Sequence, residues 1–236
     1  MFEAKKFFTA SLATALLLSS AVVASAEISP PDEATISIQQ EFPLQLDDMT
    51  TITTPYDPVL YDFIKSEEPN EVTVKVAEKT SGRIVSTYGE KIQTQDNPGK
   101  MAIMATGTYT TRTVYRTYTD REVNGKHFAG ADLYTVYNCY QSGSFGQINS
   151  VSSTYWSPMG GGGNFYLEAP NAQSQPTGKV NTFPTNQVTT TGTVVLTTKE
   201  TSAFGISISK FAFNLGTDGY SRLPIRDAAY NINFGE

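Results

Sequence analysis

The chain carries one cysteine and one histidine in 236 residues. A lone Cys139 excludes a disulfide within the chain, and Cys139 with His127 cannot supply a zinc site built from several Cys or His ligands. Charge is sparse too: Asp, Glu, Lys and Arg make up 17%, against roughly 25% in an average soluble domain. The balance is acidic, net −6, which counts against a nucleic-acid binder relying on overall positive charge.

Several catalytic patterns are missing as well. There is no Gly-x-Ser-x-Gly elbow, no phosphate loop ending in Lys-Ser/Thr, and no Asp-x-Asp-x-Asp-Gly calcium loop. Gly160 to Gly163 lack a following Lys and a helix, and read as a turn. His127 and Cys139 fall on one expected strand, 12 residues apart. At about 3.3 Å per residue that is roughly 40 Å, far beyond the reach of a Cys-His dyad. No cofactor, metal or catalytic residue is expected from these patterns. Carboxylates remain, because a β-sandwich can hydrolyse glycosides with two of them. The later part of the chain offers Asp120, Glu122, Asp132, Glu168, Glu200, Asp218, Asp227 and Glu236, with no pair singled out by spacing.

What is present begins with a leader. Lys5 and Lys6 precede an apolar stretch from Leu12 to Val23, and Ala24-Ser25-Ala26 forms a small-residue cleavage pattern. Residues 1–26 therefore read as a secretory signal peptide, the mature chain starting at Glu27 outside the membrane. The stretch is broken by Thr14, Ser19 and Ser20, which makes it marginal as a membrane span. A secreted chain with a single cysteine fits a bacterial exported protein.

The rest divides by charge. Residues 27–100 hold 14 acidic and 6 basic side chains, whereas 101–236 hold 8 and 9. The polar run Thr94 to Lys100, with Asn97-Pro98-Gly99, marks a linker. The segments are an acidic N-terminal region, 27–100, and a β-sandwich domain, 101–236. The acidic region is either a small β subdomain sharing the fold or a pro-segment removed near residue 100, and sharing the fold is the simpler reading.

Periodicity is overwhelmingly of the strand kind. Ile36, Ile38, Phe42, Leu44 and Leu46 alternate, with Pro43 placing that run at a sheet edge. Asp57-Pro58 followed by Leu60, Phe63 and Ile64 predicts one short helix to Lys65. Residues 71–88 predict a hairpin, with Val72, Val74 and Val76 on one face. The clearest unit spans 107–141 around Asn124-Gly125, whose type I′ turn fixes partners at a residue-number sum of 249. One face then sets Tyr109 opposite Tyr140, Tyr115 opposite Tyr134 and Arg121 opposite Phe128. The other sets Thr110 opposite Cys139, Arg112 opposite Tyr137 and Arg116 opposite Leu133. A bulge at Gly130 would shift the outer pairs by one. Further strands are expected at 145–156, 165–169, 188–199, 203–214 and 228–234. The fold class is mainly β, an antiparallel β-sandwich or barrel-like body with one short helix in the N-terminal part.

Function follows only in outline: a secreted, non-enzymatic protein acting by binding at an extracellular or cell-surface interface. Its partner is a glycan, a protein or a cell surface, and not a nucleic acid. The candidate binding residues are Tyr109, Tyr115, Tyr134 and Tyr140, two aromatic pairs six residues, or roughly 20 Å, apart. Either they form an exposed platform or they pack beneath the opposing sheet, the simpler reading. The alternative is an exported antibacterial or membrane-active protein of β-pore type, because Val188, Gly192, Val194 and Leu196 give 188–214 a partial apolar face. A carboxylate-based hydrolase comes third.

Overall fold

Antiparallel strands account for about three quarters of the described chain. The computed structural model describes residues 40–94, 107–123, 126–159, 165–178, 180–199, 202–203, 206–207, 209 and 212–235. The leader, Ile36, Ile38, the 95–100 linker, the Asn124-Gly125 turn and the glycine quartet lie outside them.

Among the described residues fourteen strands are formed, as β1 Phe42–Gln45, β2 Thr50–Thr54, β3 Tyr61–Glu68, β4 Glu71–Glu78, β5 Ile84–Thr94, β6 Thr108–Val123 and β7 Lys126–Ser142. After these come β8 Phe145–Met159, β9 Phe165–Pro176, β10 Gln187–Thr198, β11 Ser202–Ala203, β12 Ile206–Ser207, β13 Asn214–Leu215 and β14 Ser221–Phe234. One six-stranded sheet runs β3-β4-β5-β6-β7-β8. The other runs β1-β2-β14-β10-β9, with β13 added at β14. The two enclose a core containing Leu46, Ile52, Val74, Val76, Tyr88, Leu133, Tyr137, Ile148, Ile232 and Phe234. This is the expected antiparallel sandwich. Both sheets mix strands from either side of residue 100: β5 pairs with β6 in one, β2 with β14 in the other.

Pro43 sits in an edge strand, the position in a sheet where proline is tolerated. Residues 71–88 form the β4–β5 hairpin, with Val74 and Val76 buried. Register in the β6–β7 ribbon follows the sum of 249 from Thr108↔Gln141 to Tyr118↔Ala131. A bulge then sets Arg121 opposite Ala129 rather than Phe128, and the count returns at Glu122↔His127. The irregularity lies between Tyr118 and Glu122 and corrects itself, so the outer pairs are not shifted. Every other residue of β6 faces the core, and these are Thr110, Arg112, Val114 and Arg116. The cationic face is the buried one.

Two expectations need correction. The short helix at 57–65 is a single turn that leads into β3. Asp57 does cap it, accepting from Val59 N at 2.7 Å through its carboxylate and from Leu60 N at 2.9 Å through its carbonyl. Pairing with all eight residues of β4 then outweighs a weak local helix preference. In β3 it is the alternating Tyr61 and Phe63 that pack on the core, while Leu60 and Ile64 stay exposed. Among the described residues, the single strand expected over 203–214 is also not formed. β11 folds back on β12, β13 joins β14, and Phe213 is buried beside Leu196 and Leu223. Consequently β10 pairs with β9 and β14 and not with 203–214. Its Val188, Val194 and Leu196 point into the sandwich core, as expected of a packed sheet.

The sheet around β10 bends at one level on both sides. Register slips between Gly192 and Val194 against β14, and between Thr193 and Val195 against β9. The extra residues include Asp227 and Ala169, both at positive φ, 55° and 48°. A non-glycine residue held there signals local strain of about 1–3 kcal/mol, which the surrounding structure must over-determine. Asp227 lies beside the cavity described next.

Candidate functional site

The four sequence-nominated tyrosines occupy the face of the β6–β7 ribbon opposite the core, so they do not pack beneath the other sheet. Tyr109 and Tyr140 stand 5.0 Å apart between ring centroids, and Phe145 of β8 extends the row at 6.4 Å. Tyr115 and Tyr134 stand 5.3 Å apart, and Tyr155 of β8 stacks on Tyr134 at 5.0 Å with an 11° interplanar angle. Two three-ring rows therefore cross β6, β7 and β8. Tyr155 and Phe145 were not nominated from sequence, although the β7–β8 pairing brings them into line with the others.

Exposure differs along these rows. Tyr109 is 54% exposed, Phe145 49% and Tyr155 44%, whereas Tyr115 is only 8% exposed. Tyr115 lies across Gly89 of β5, its cross-strand partner, and Tyr140 lies across Gly107. In each case a Cβ on the glycine would overlap the ring, so the glycine is what lets the ring lie flat. Asp132, 8% exposed, accepts from Thr117 Oγ1 at 2.6 Å and from Tyr134 Oη at 3.1 Å. Burial and that neighbouring carboxylate push the Tyr134 phenol up, so it remains a neutral donor at physiological pH. Between the rows, Thr111 donates to Asn138 at 2.9 Å and Asn138 to Ser150 at 3.3 Å, giving a hydroxyl- and amide-bearing floor.

The core face of β6 carries two buried arginines four residues apart. Arg112 Nη1 donates to Glu90 Oε1 at 2.9 Å and to Asp47 Oδ2 at 2.5 Å. Thr50 Oγ1 and Tyr137 Oη also donate to Glu90 Oε1, at 2.7 and 3.3 Å. Among the described residues, Glu90 Oε2 and Arg112 Nε are buried without partners. Burial pushes the Glu90 carboxyl above the usual carboxylate range, opposed by Arg112. Arg116 is different. Its Nη1 donates to Ala229 O at 2.9 Å, and its guanidinium lies over the rings of Tyr118, Tyr88 and Tyr56 at 4.5, 5.2 and 5.8 Å. It borders a cavity of about 410 Å³ whose wall includes Tyr56, Tyr61, Tyr118, Glu41 and Asp227. Nothing in the β6 sequence distinguishes the two arginines, because their surroundings come from distant strands.

The thiol and carboxylate chemistries can now be placed. His127 and Cys139 lie on the single strand β7. Cys139 is fully buried, its Sγ 3.0 Å from Thr110 Oγ1, and burial pushes the thiol up. A buried thiol with a raised pKa is inert. The native protein is expected to resist dithiobis-nitrobenzoate at pH 8 and to release one thiol equivalent after unfolding in guanidinium; rapid labelling of the native state would contradict this placement. Glu168 and Asp218 converge on Arg222, at 2.9 and 2.8 Å. Hydrogen bonds from Arg222 hold both carboxyls below their usual range, Asp218 at about 2. Two carboxylates both kept ionised provide no general acid, which glycoside hydrolysis requires. Among the described residues, no group of three or more His, Cys, Asp or Glu side chains is placed to hold a metal ion.

Compared with known proteins, the chain matches no family model, no curated protein and no solved structure.

Proposed function

We propose that this is an exported protein that acts outside the membrane by binding, without catalysis, and that the outer aromatic face of β6, β7 and β8 engages the sugar rings of an extracellular or cell-surface glycan. The observation that carries the reading is the pair of three-ring rows with exposed ends at Tyr109, Phe145 and Tyr155. Flat phenol rings present an apolar body with a polar tip, which suits stacking against pyranose faces while the hydroxyls bond. The Thr111–Asn138–Ser150 strip adds donors and acceptors between the rows. Strand pairing fixes the spacing, so the rings need little ordering on binding. The leader pattern of residues 1–26 supports export.

The test is a glycan array probed with the mature chain, followed by titration of the oligosaccharides retained. Tyr155→Ala is expected to weaken binding about tenfold, equivalent to roughly 1.4 kcal/mol. Tyr166→Ala, an exposed tyrosine of the other sheet, should leave it unchanged. Retention of no glycan, or equal binding by Tyr155→Ala, would overturn the reading.

A further inference from the structure

Arg112 and Arg116 lie on one strand, on one face, and are buried to similar depth, 4% and 9% exposed. Arg112 is neutralised by two carboxylates. Among the described residues, no carboxylate comes within ion-pair distance of Arg116. Among the described residues its Nε is buried with no acceptor, while its Nη1 donates to the Ala229 carbonyl at 2.9 Å. Taking an arginine this far out of water carries a large desolvation cost. Three ring contacts offset part of that cost but supply no counter-charge.

The guanidinium is not sealed in. It borders the cavity of about 410 Å³, within the range that admits small ligands. The backbone at that wall is the strained bulge of Asp227, two residues before the carbonyl that holds Arg116. Strained backbone, an uncompensated cation and phenol rings thus converge on one polar cavity. Glu41 and Asp227 border the same space, so any negative charge on a ligand beyond the one that meets Arg116 would be repelled.

We infer that this cavity binds a small molecule bearing one carboxylate, with the carboxylate on Arg116 and the remainder against Tyr56, Tyr61 and Tyr118. The site is separate from the outer tyrosine face, and neither proposal needs the other.

Calorimetric titration of the full mature chain tests it. The probes are L-lactate, benzoate and L-phenylalanine, which present hydroxylated, aromatic and ammonium-bearing bodies, with benzamide and inorganic phosphate as controls. At least one monocarboxylate is expected to saturate with one site per chain at millimolar concentration or below, and the controls should give no heat. Arg116→Gln should weaken that binding more than tenfold. Glu41→Gln, at an exposed position on the cavity wall, should strengthen it several-fold, and Tyr166→Ala should leave it unchanged. No saturable binding by any of the three carboxylates would overturn the inference, as would equal binding by Arg116→Gln. Should Arg116→Gln fail to fold, Glu41→Gln decides: an affinity equal to that of the native protein would overturn it.

Discussion

A chain that begins at Met101 is expected not to fold. Such a chain lacks β1 to β5, and with them five fully or almost fully buried core side chains, Leu46, Ile52, Val74, Val76 and Tyr88. At about 1.5–3 kcal/mol each, their loss removes on the order of 10 kcal/mol, comparable to the whole stability of a typical domain. It also strips eight residue pairs from β6, Thr87↔Thr117 through Thr94↔Thr110, and three from β14, which turns both into open edges. The expected product is insoluble or gives no cooperative melt by circular dichroism, whereas a chain starting at Glu27 melts cooperatively. We therefore propose that the acidic region is retained as part of the sandwich. A soluble, cooperatively melting 101–236 fragment, or an intact mass showing that secreted protein starts near residue 101 with nothing bound, would refute this.

Replacing Arg112 by Met is expected to destabilise the protein by about 3–5 kcal/mol, because it leaves Glu90 and Asp47 without their cation. Glu90→Leu combined with Arg112→Met should recover most of the loss, since no uncompensated Glu90 charge then remains buried. Denaturant midpoints of the two single variants and the double variant measure this directly; additive losses would contradict the pairing. The pH dependence has a definite sign. Burial raises the folded-state pKa of Glu90 above the ordinary 4.5. The folded chain then keeps a proton that the unfolded chain has released, so the Glu90 contribution is complete below about pH 4.5 and is lost as pH rises through the folded value. Between pH 4 and 8 the native protein should lose stability relative to Glu90→Gln. The opposite slope would mean that Arg112 outweighs burial.

Strand patterns along this chain are local, and so they are readable. Valine alternation in β4 and the Asn-Gly turn each constrain only a few neighbouring dihedrals, yet the turn alone sets the β6–β7 register across ten residues or more. Edge placement of Pro43 is legible for the same reason. Helix against strand at 61–68 was not, because the deciding bonds come from β4 rather than from Asp57 and its neighbours. The single strand over 203–214 was not legible either, since Ala203 pairs antiparallel with Ile206. Tyr155 and Phe145 joined the aromatic rows only through the β7–β8 pairing, where bulges obscure the register in sequence.

The amino-acid order by itself determined the β class, the long ribbon and which residues share each of its faces, because alternation and turn geometry act over short range. It left open which face is covered. Only the packed structure decided that the arginine-bearing face turns inward. The carboxylates that make this tolerable for Arg112 sit on β5 and in the β1–β2 turn, and the rings around Arg116 on β5, on β6 and beyond β2. Charge compensation in the core is a long-range property, fixed by which strands meet across the sandwich.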